Sequence, residues 1–207
     1  LNSLKSQTYK NFEIIIVNDG SQDPTTIKIL KNIKKNNVKI INQKNKGLAA
    51  ARNNGILKSK TEFILPLDSD DWLASNALEE FIFFLKKNKQ FDFVYSNIVN
   101  QNQSTGVLKK NYNFFEQLFS NQMPYCLLIR KSVLTSIGLY DENMKNGFED
   151  WELNIRMGKH NYIGHCLNKN LFFYNVSEEG MLKSVSVKNF ASIYKYIRFK
   201  HKEIYTI

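Results

Sequence analysis

Cysteine and proline are scarce in this sequence: two cysteines, Cys126 and Cys166, and three prolines among 207 residues. Two thiols in partly apolar stretches cannot build a disulfide framework, so each is expected as a buried free thiol in a reducing compartment. Acidic residues are also few, 19 Asp and Glu against 29 Lys and Arg, for a formal net charge of +10. No apolar run approaches the roughly 18 residues of a membrane span, and no basic start followed by an apolar stretch reads as a signal peptide. The composition is nevertheless 43% hydrophobic and 13% aromatic, which excludes a disordered chain and implies one good-sized packed domain.

The positive charge is spread out. Lys31, Lys34, Lys35, Lys44, Lys46, Lys58 and Lys60 fall in loops and helix ends, whereas a nucleic-acid binder gathers Arg and Lys on one face among aromatics. The expectation is a solvated surface biased toward anionic ligands, with no nucleic-acid partner.

Apolar, largely β-branched runs at Phe12–Val17, Val38–Ile41, Phe63–Leu67 and Phe91–Ser96 read as strands. Helical patterns alternate with them: from Asp23-Pro24 through Ile33, Leu48–Leu57, and Ser75 to Lys87. This alternation predicts a three-layer α/β/α fold of Rossmann type with a mostly parallel mixed sheet. Beyond the polar, irregular Ile98–Asn113 stretch, a helix is expected near Phe114–Ser120, a strand at Cys126–Ile129 and a helix from Lys131 to Ile137. Another helix should run from Glu149 to Gly158, then strands around His165 and at Leu171–Tyr174. Phe190, Ile193, Tyr194, Ile197 and Ile204, with Lys and Arg between them, predict a basic amphipathic helix over 187–207. Its stripe can rest on an anionic membrane or pack on the domain.

In an open parallel sheet, ligands collect outside the carboxyl ends of the strands. Two strands end there in acids, Asp19 and the Asp68-Ser69-Asp70-Asp71 cluster. Three carboxylates within four residues repel unless a cation or donors neutralise them. With no His or Cys nearby, Mg2+ or Mn2+ suits the cluster better than zinc. The plainer alternative is that Asp71 caps the next helix and the others face water. Lys44 to Arg52, with Gly47 and a helix N-terminus, is placed to hold the phosphates of a metal-bound substrate. A second acidic pair, Glu149-Asp150, sits between Phe148 and Trp151. Acids in a first helical turn are usually structural, but aromatic walls raise a carboxylate's proton affinity and can stack on a sugar, so one of these acids is a candidate general base.

The succession Ser6-Gln7-Thr8-Tyr9, Phe12 to Ser21, Asn45-Lys46-Gly47-Leu48-Ala49-Ala50-Ala51-Arg52-Asn53, Leu67-Asp68-Ser69-Asp70-Asp71-Trp72 and Phe148-Glu149-Asp150-Trp151-Glu152-Leu153 resembles the family 2 glycosyltransferases of the GT-A fold. The likeness spans about Leu4 to Tyr174. It implies that Asp19 contacts the base or ribose of a nucleoside-diphosphate sugar and that Arg52 lies near base and diphosphate. It further implies that Asp68 and Asp70 form the Asp-x-Asp motif, with Asp70 the direct metal ligand and Asp68 turned toward the ribose. Asp150 then resembles the acceptor-activating base, supported by Glu149, with Trp151 at the substrate. The implied reaction is a metal-assisted displacement with inversion onto a glycan or lipid-linked acceptor of a bacterial surface polysaccharide, in the cytoplasm or at the inner face of the membrane. On this reading residues 1–97 bind the nucleotide and 98–186 the acceptor. Two departures accompany the likeness. The family's opening strand, normally mid-sheet, precedes Leu1, and Tyr174-Asn175-Val176-Ser177 stands where the family often has Tyr-Arg and then His. An N-terminally shortened transferase is therefore expected, with a non-catalytic nucleotide-binding or interaction module as the alternative.

Overall fold

A single helical turn, α1 (Asn2–Lys5), precedes β1 (Ile14–Asp19), where Ile14, Ile15, Ile16 and Val17 favour extended backbone because branching at Cβ restricts χ1. The structure is a computed structural model and describes residues 1–33, 37–177 and 180–205. Lys34 and Lys35, read above as surface charges, lie outside the described residues. Between β1 and β2 (Val38–Gln43) runs α2 (Pro24–Asn32), whose first turn is capped by Asp23 accepting from the Thr26 N–H at 2.7 Å. β1 and β2 pair in parallel, Ile14 opposite Val38 through Asp19 opposite Gln43. α3 (Leu48–Lys58) then packs back on β1, close enough at Gly55 that a Cβ there would meet Val17 Cγ2 at 3.4 Å.

The remaining strands form a second sheet. β3 (Phe63–Ile64) and β4 (Trp72–Leu73) flank the acidic turn and lead to α4 (Ala77–Lys87) and the long β5 (Phe93–Asn102), which folds back through β6 (Gly106–Leu108). One helical turn, α5 (Phe114–Gln117), leads to β7 (Leu128–Arg130), α6 (Lys131–Ser136), α7 (Glu149–Lys159) and β8 (Gly164–Val176). The order is β3-β7-β5-β8-β4, with β6 on β5. The expected two strands around His165 and Leu171 are one bulged strand, and the irregular Ile98–Asn113 stretch contains a hairpin.

The parallel share of the sheet is smaller than expected. Among the described residues only β1–β2 and β5–β8 pair in parallel, and β3–β7, β4–β8, β5–β6 and β5–β7 are antiparallel. The cause is connectivity: after β5 the chain returns by a hairpin, and β7 runs back between β5 and β3. The three layers do form. Phe93 and Tyr95 of β5 face Ile56, Val133, Leu134, Leu153 and Met157, whereas Val94 faces Phe81 and Leu85 of α4. Successive strand residues thus serve opposite cores, as the pleat requires. Each fully buried Phe or Leu in them contributes about 2 kcal/mol.

The expected Phe63–Leu67 strand is cut to two residues. β3 has a ladder only with β7, and its opposite edge, like the edge of β1 away from β2, has no strand partner among the described residues. Both edges line a cleft of about 1860 Å³ that continues to Asp68–Asp71 and to Glu149 and Asp150.

The C-terminal stripe packs on the domain. In α8 (Phe190–Lys200), Ile193 and Ile197 are buried in a third cluster with Trp151 and Ile155, and Phe190 and Tyr194 stack on the Trp151 indole. A buried carboxylate anchors the helix: Glu152 accepts from Arg156, from Lys200 at 2.8 Å and from His201 at 2.9 Å. The last turn, α9 (Lys202–Tyr205), closes on Leu118 through a Tyr205 hydroxyl bond of 2.8 Å. Among the described residues no helix is long and apolar enough to cross a membrane.

Candidate active site

Asp19 ends β1 and turns its carboxylate into the loop before α3. Oδ1 accepts from Gln43 Nε2 and the Lys46 N–H, and Oδ2 from the Gly47 N–H, each at 2.8 Å. Burial opposes its ionisation, but these donors outweigh burial and hold it below the usual carboxylate range. Gly20 makes the turn possible: at φ +75° it lies so close that a Cβ would meet the Asn45 backbone nitrogen at 2.8 Å. Asp19 therefore fixes the loop and the start of α3, where Lys44 and Lys46 stay exposed.

At the end of β3 the acids take three different positions. Asp70 is exposed and makes no hydrogen bond or ion pair among the described residues. Asp68 accepts from Arg52 Nη2 at 2.9 Å through Oδ1, and its backbone N–H donates to the Tyr125 hydroxyl at 2.9 Å. Asp71 is buried, accepting from the Tyr125 hydroxyl at 2.5 Å and from the Asn175 N–H at 2.7 Å. Burial pushes Asp71 up to about 6 despite those donors. It does not cap the next helix, whose N-cap is Asn76. It ties the acidic turn to the end of β8 instead.

α7 starts at the pair Gly147-Phe148, both left-handed at φ +92° and +57°, which aims the first turn at the cleft. Glu149 is buried and accepts from Arg52 Nη1 at 2.5 Å. Burial pushes Glu149 up to about 7 against the pull of Arg52. Asp150 is half-buried, accepts from Asn121 Nδ2 at 2.8 Å, and is raised by burial against Arg52 and Asn121.

Arg52 sits between these acids. Its guanidinium packs against Tyr125 and Tyr140, 4.8 and 5.4 Å from the ring centroids, and its Nε is buried without a partner among the described residues. The family resemblance implies Arg52 near the base and diphosphate; in the structure both Nη atoms are engaged by carboxylates. Trp151 requires a correction. It is fully buried, its Nε1 donates to the Gln117 carbonyl at 2.6 Å, and aromatics of α8 cover it, so it is core and has no face for a sugar. The structure thus brings Arg52, Asp68, Asp70, Glu149 and Asp150 to one cleft, with Asp19 at the neighbouring loop. Sequence reasoning missed Tyr125, Tyr140 and Asn121, which lie outside any acidic or glycine signal.

No group of three or more His, Cys, Asp or Glu side chains among the described residues forms a self-sufficient metal cage. Asp70 and the second oxygen of Asp68 are hard donors left free, which suits a cation that completes its shell with water and phosphate.

Residues 1–153 match the model of the family described as glycosyl transferase family 2. An uncharacterized glycosyltransferase of Rickettsia bellii is 32% identical over 175 residues, covering 79% of this chain and 24% of that protein. The UDP-Glc:alpha-D-GlcNAc-diphosphoundecaprenol beta-1,3-glucosyltransferase WfgD of Escherichia coli is 37% identical over 109 residues, 51% of this chain and 42% of WfgD. The crystal structure of S. aureus TarS 1-349 in complex with UDP-GlcNAc superposes with a TM-score of 0.78 at 21% identity, covering 96% of this chain and 60% of that one. The fold is thus the GT-A fold, and the chain spans less than half the length of these curated relatives.

Proposed function

The chain belongs to the family 2 glycosyltransferases, and on that premise we propose an inverting transferase that moves a sugar from a nucleoside-diphosphate sugar, a UDP-sugar, to a hydroxyl of a glycan or lipid-linked acceptor. The process served is bacterial surface polysaccharide synthesis, on the cytoplasmic side of the membrane. The observation that carries the reading is the meeting of two acidic groups in one cleft: Asp68 and Asp70 at the end of β3, and Glu149 and Asp150 opening α7, joined by Arg52. WfgD, by its name, uses UDP-glucose, and TarS is described with UDP-GlcNAc bound, which supports the donor class.

In this reading Asp150 takes the proton of the acceptor hydroxyl, whose oxygen then attacks the anomeric carbon. The carbon–oxygen bond to the diphosphate breaks, and the nucleoside diphosphate leaves with the electron pair. Asp70, with Asp68, would hold Mg2+ or Mn2+, which when bound supplies positive charge against the departing diphosphate. Lys44, Lys46 and the first-turn amides of α3 add to that potential. Asp19 holds the loop beneath the nucleotide and is the proposed contact for base or ribose. Arg52 serves by fixing Asp68 and Glu149 rather than by reaching the donor. Contact with a membrane would have to use the exposed Lys188, Lys195, Arg198, Phe199 and Lys202, since the apolar stripe of α8 is turned inward.

Thermal unfolding with nucleotides and metal tests this. UDP or a UDP-sugar with Mn2+ should raise Tm, because specific binding stabilises the folded state, and D70N should remove the Mn2+-dependent part. A Tm indifferent to every nucleoside diphosphate, with and without Mn2+, contradicts the reading.

A further inference from the structure

A one-directional chain of amide hydrogen bonds ends on Asp150. It begins at a group whose polarity is fixed, the backbone N–H of Gln122, which donates to Gln117 Oε1 at 2.8 Å. Gln117 must therefore present its amino group on the other side, and Nε2 donates to Asn121 Oδ1 at 2.9 Å. Asn154 Nδ2 reaches the same oxygen at 3.2 Å. With Oδ1 so engaged, Asn121 can only turn Nδ2 to Asp150, and it donates to Oδ2 at 2.8 Å. Amide orientations are normally ambiguous, but a chain anchored on a backbone N–H is not. Gln117 and Asn154 are fully buried, and Gln117 is clamped again by Trp151 Nε1 on its carbonyl. An amide relay this well enclosed is costly unless every member is satisfied, so its geometry is well determined.

We propose that Asn121, oriented by Gln117, is a positioning residue for Asp150: it holds Oδ2 by donation and leaves Oδ1, which accepts no side-chain hydrogen bond among the described residues, to receive the acceptor's proton. The inference rests on the reading of Asp150 as the base. Asn121 never touches the reacting atoms. It fixes the carboxylate's rotation and favours its ionised form, since a donor hydrogen bond stabilises the charged state. The groups facing Asp150 set the background. Arg52 of α3 favours the carboxylate, while Glu149 on its own helix and Asp68 at the end of β3 oppose added negative charge, and burial and the nearby acids in turn keep Tyr140 and Tyr174 of β8 protonated. Asn121 and the Trp151 backbone N–H are the neutral donors in that set, and of the two Asn121 can be removed by substitution without changing net charge.

The test is titration of the Asp150 side chain by carbonyl-carbon NMR on protein carrying 13C-labelled aspartate, with the resonance assigned by its loss in D150N. N121A should move the Asp150 midpoint upward by about one pH unit. Q117M takes away the donor to Asn121 without adding charge, so the Asn121 amide loses part of its orientation and the midpoint should again rise, by less; it is the control should N121A fold poorly. If both variants fold and their Asp150 midpoints match wild type, the relay is merely structural and the proposal is overturned. Failure of the underlying reading looks different: D150N would keep wild-type transfer activity whatever the titrations give.

Discussion

Arg52 Nη1 lies 2.5 Å from Glu149 Oε1, joining residues 97 apart in the chain. The same guanidinium reaches Asp68 with its other terminal nitrogen, so one buried cation holds the acidic turn after β3 against the start of α7. Only a planar fork can serve both carboxylates and pack against two tyrosine rings. R52K should keep the charge yet lose one of the two contacts, and R52A should leave two carboxylates facing each other without a cation. The expected destabilisation of R52A is about 3 to 5 kcal/mol, the usual cost of breaking a buried pair, with R52K in between, both measured by denaturant unfolding.

The pH dependence of stability follows from Glu149. Its folded-state value of about 7 lies above the ordinary 4.5, so folding favours the protonated acid. That contribution is fully present below pH ~4.5 and is lost as pH rises through 7. E149Q should flatten this part of the Tm-against-pH curve. An unchanged slope between pH 5 and 7.5 would show that Glu149 titrates normally.

Glu152 gives the opposite sign. Its carboxyl is held down to about 2 because Arg156, Lys200 and His201 outweigh the penalty of burial. The stability it contributes, on the order of 3 kcal/mol, is present above pH ~4.5 and disappears as pH falls toward 2. Acid should therefore loosen the attachment of α8 first. Hydrogen exchange of residues 190–200 at pH 3 against pH 6 checks this, and E152Q should show the fast exchange already at pH 6.

Tyr125 gives a clean single-atom test. Y125F keeps the ring beside Arg52 but deletes the hydroxyl that accepts from the Asp68 N–H and donates to Asp71. Leaving Asp71 buried with one donor fewer should cost about 1 to 3 kcal/mol. Because the Asp68 turn loses its tether, Mn2+-dependent stabilisation by UDP should weaken as well. A loss of Tm with unchanged Mn2+ response would confine Tyr125 to packing.

Much of this was legible in the sequence, for physical reasons that differ by element. The Ile14–Val17 run, the Ala-rich α3 and the apolar pattern of α4 encode themselves through branching, propensity and periodicity. The acids at strand ends are legible because a sheet's carboxyl edge is where function collects. The antiparallel half of the sheet was not, since a two-residue strand such as Trp72–Leu73 exists only through its pairing with Phe172–Phe173. Trp151 misled because flanking acids suggested a cleft wall, whereas its burial depends on α8, some 40 residues downstream. Asn121 and Tyr125 carry no local pattern at all; contacts to residues 29 and 57 positions away define their roles.

The central claim is that Asp150 is the base of a metal-assisted sugar transfer, and the rate of transfer from a UDP-sugar by D150N tests it most directly. The account predicts that D150N still binds UDP with Mn2+, shown by an unchanged Tm shift, while turnover falls by at least 100-fold. Transfer by D150N at the wild-type rate would contradict it.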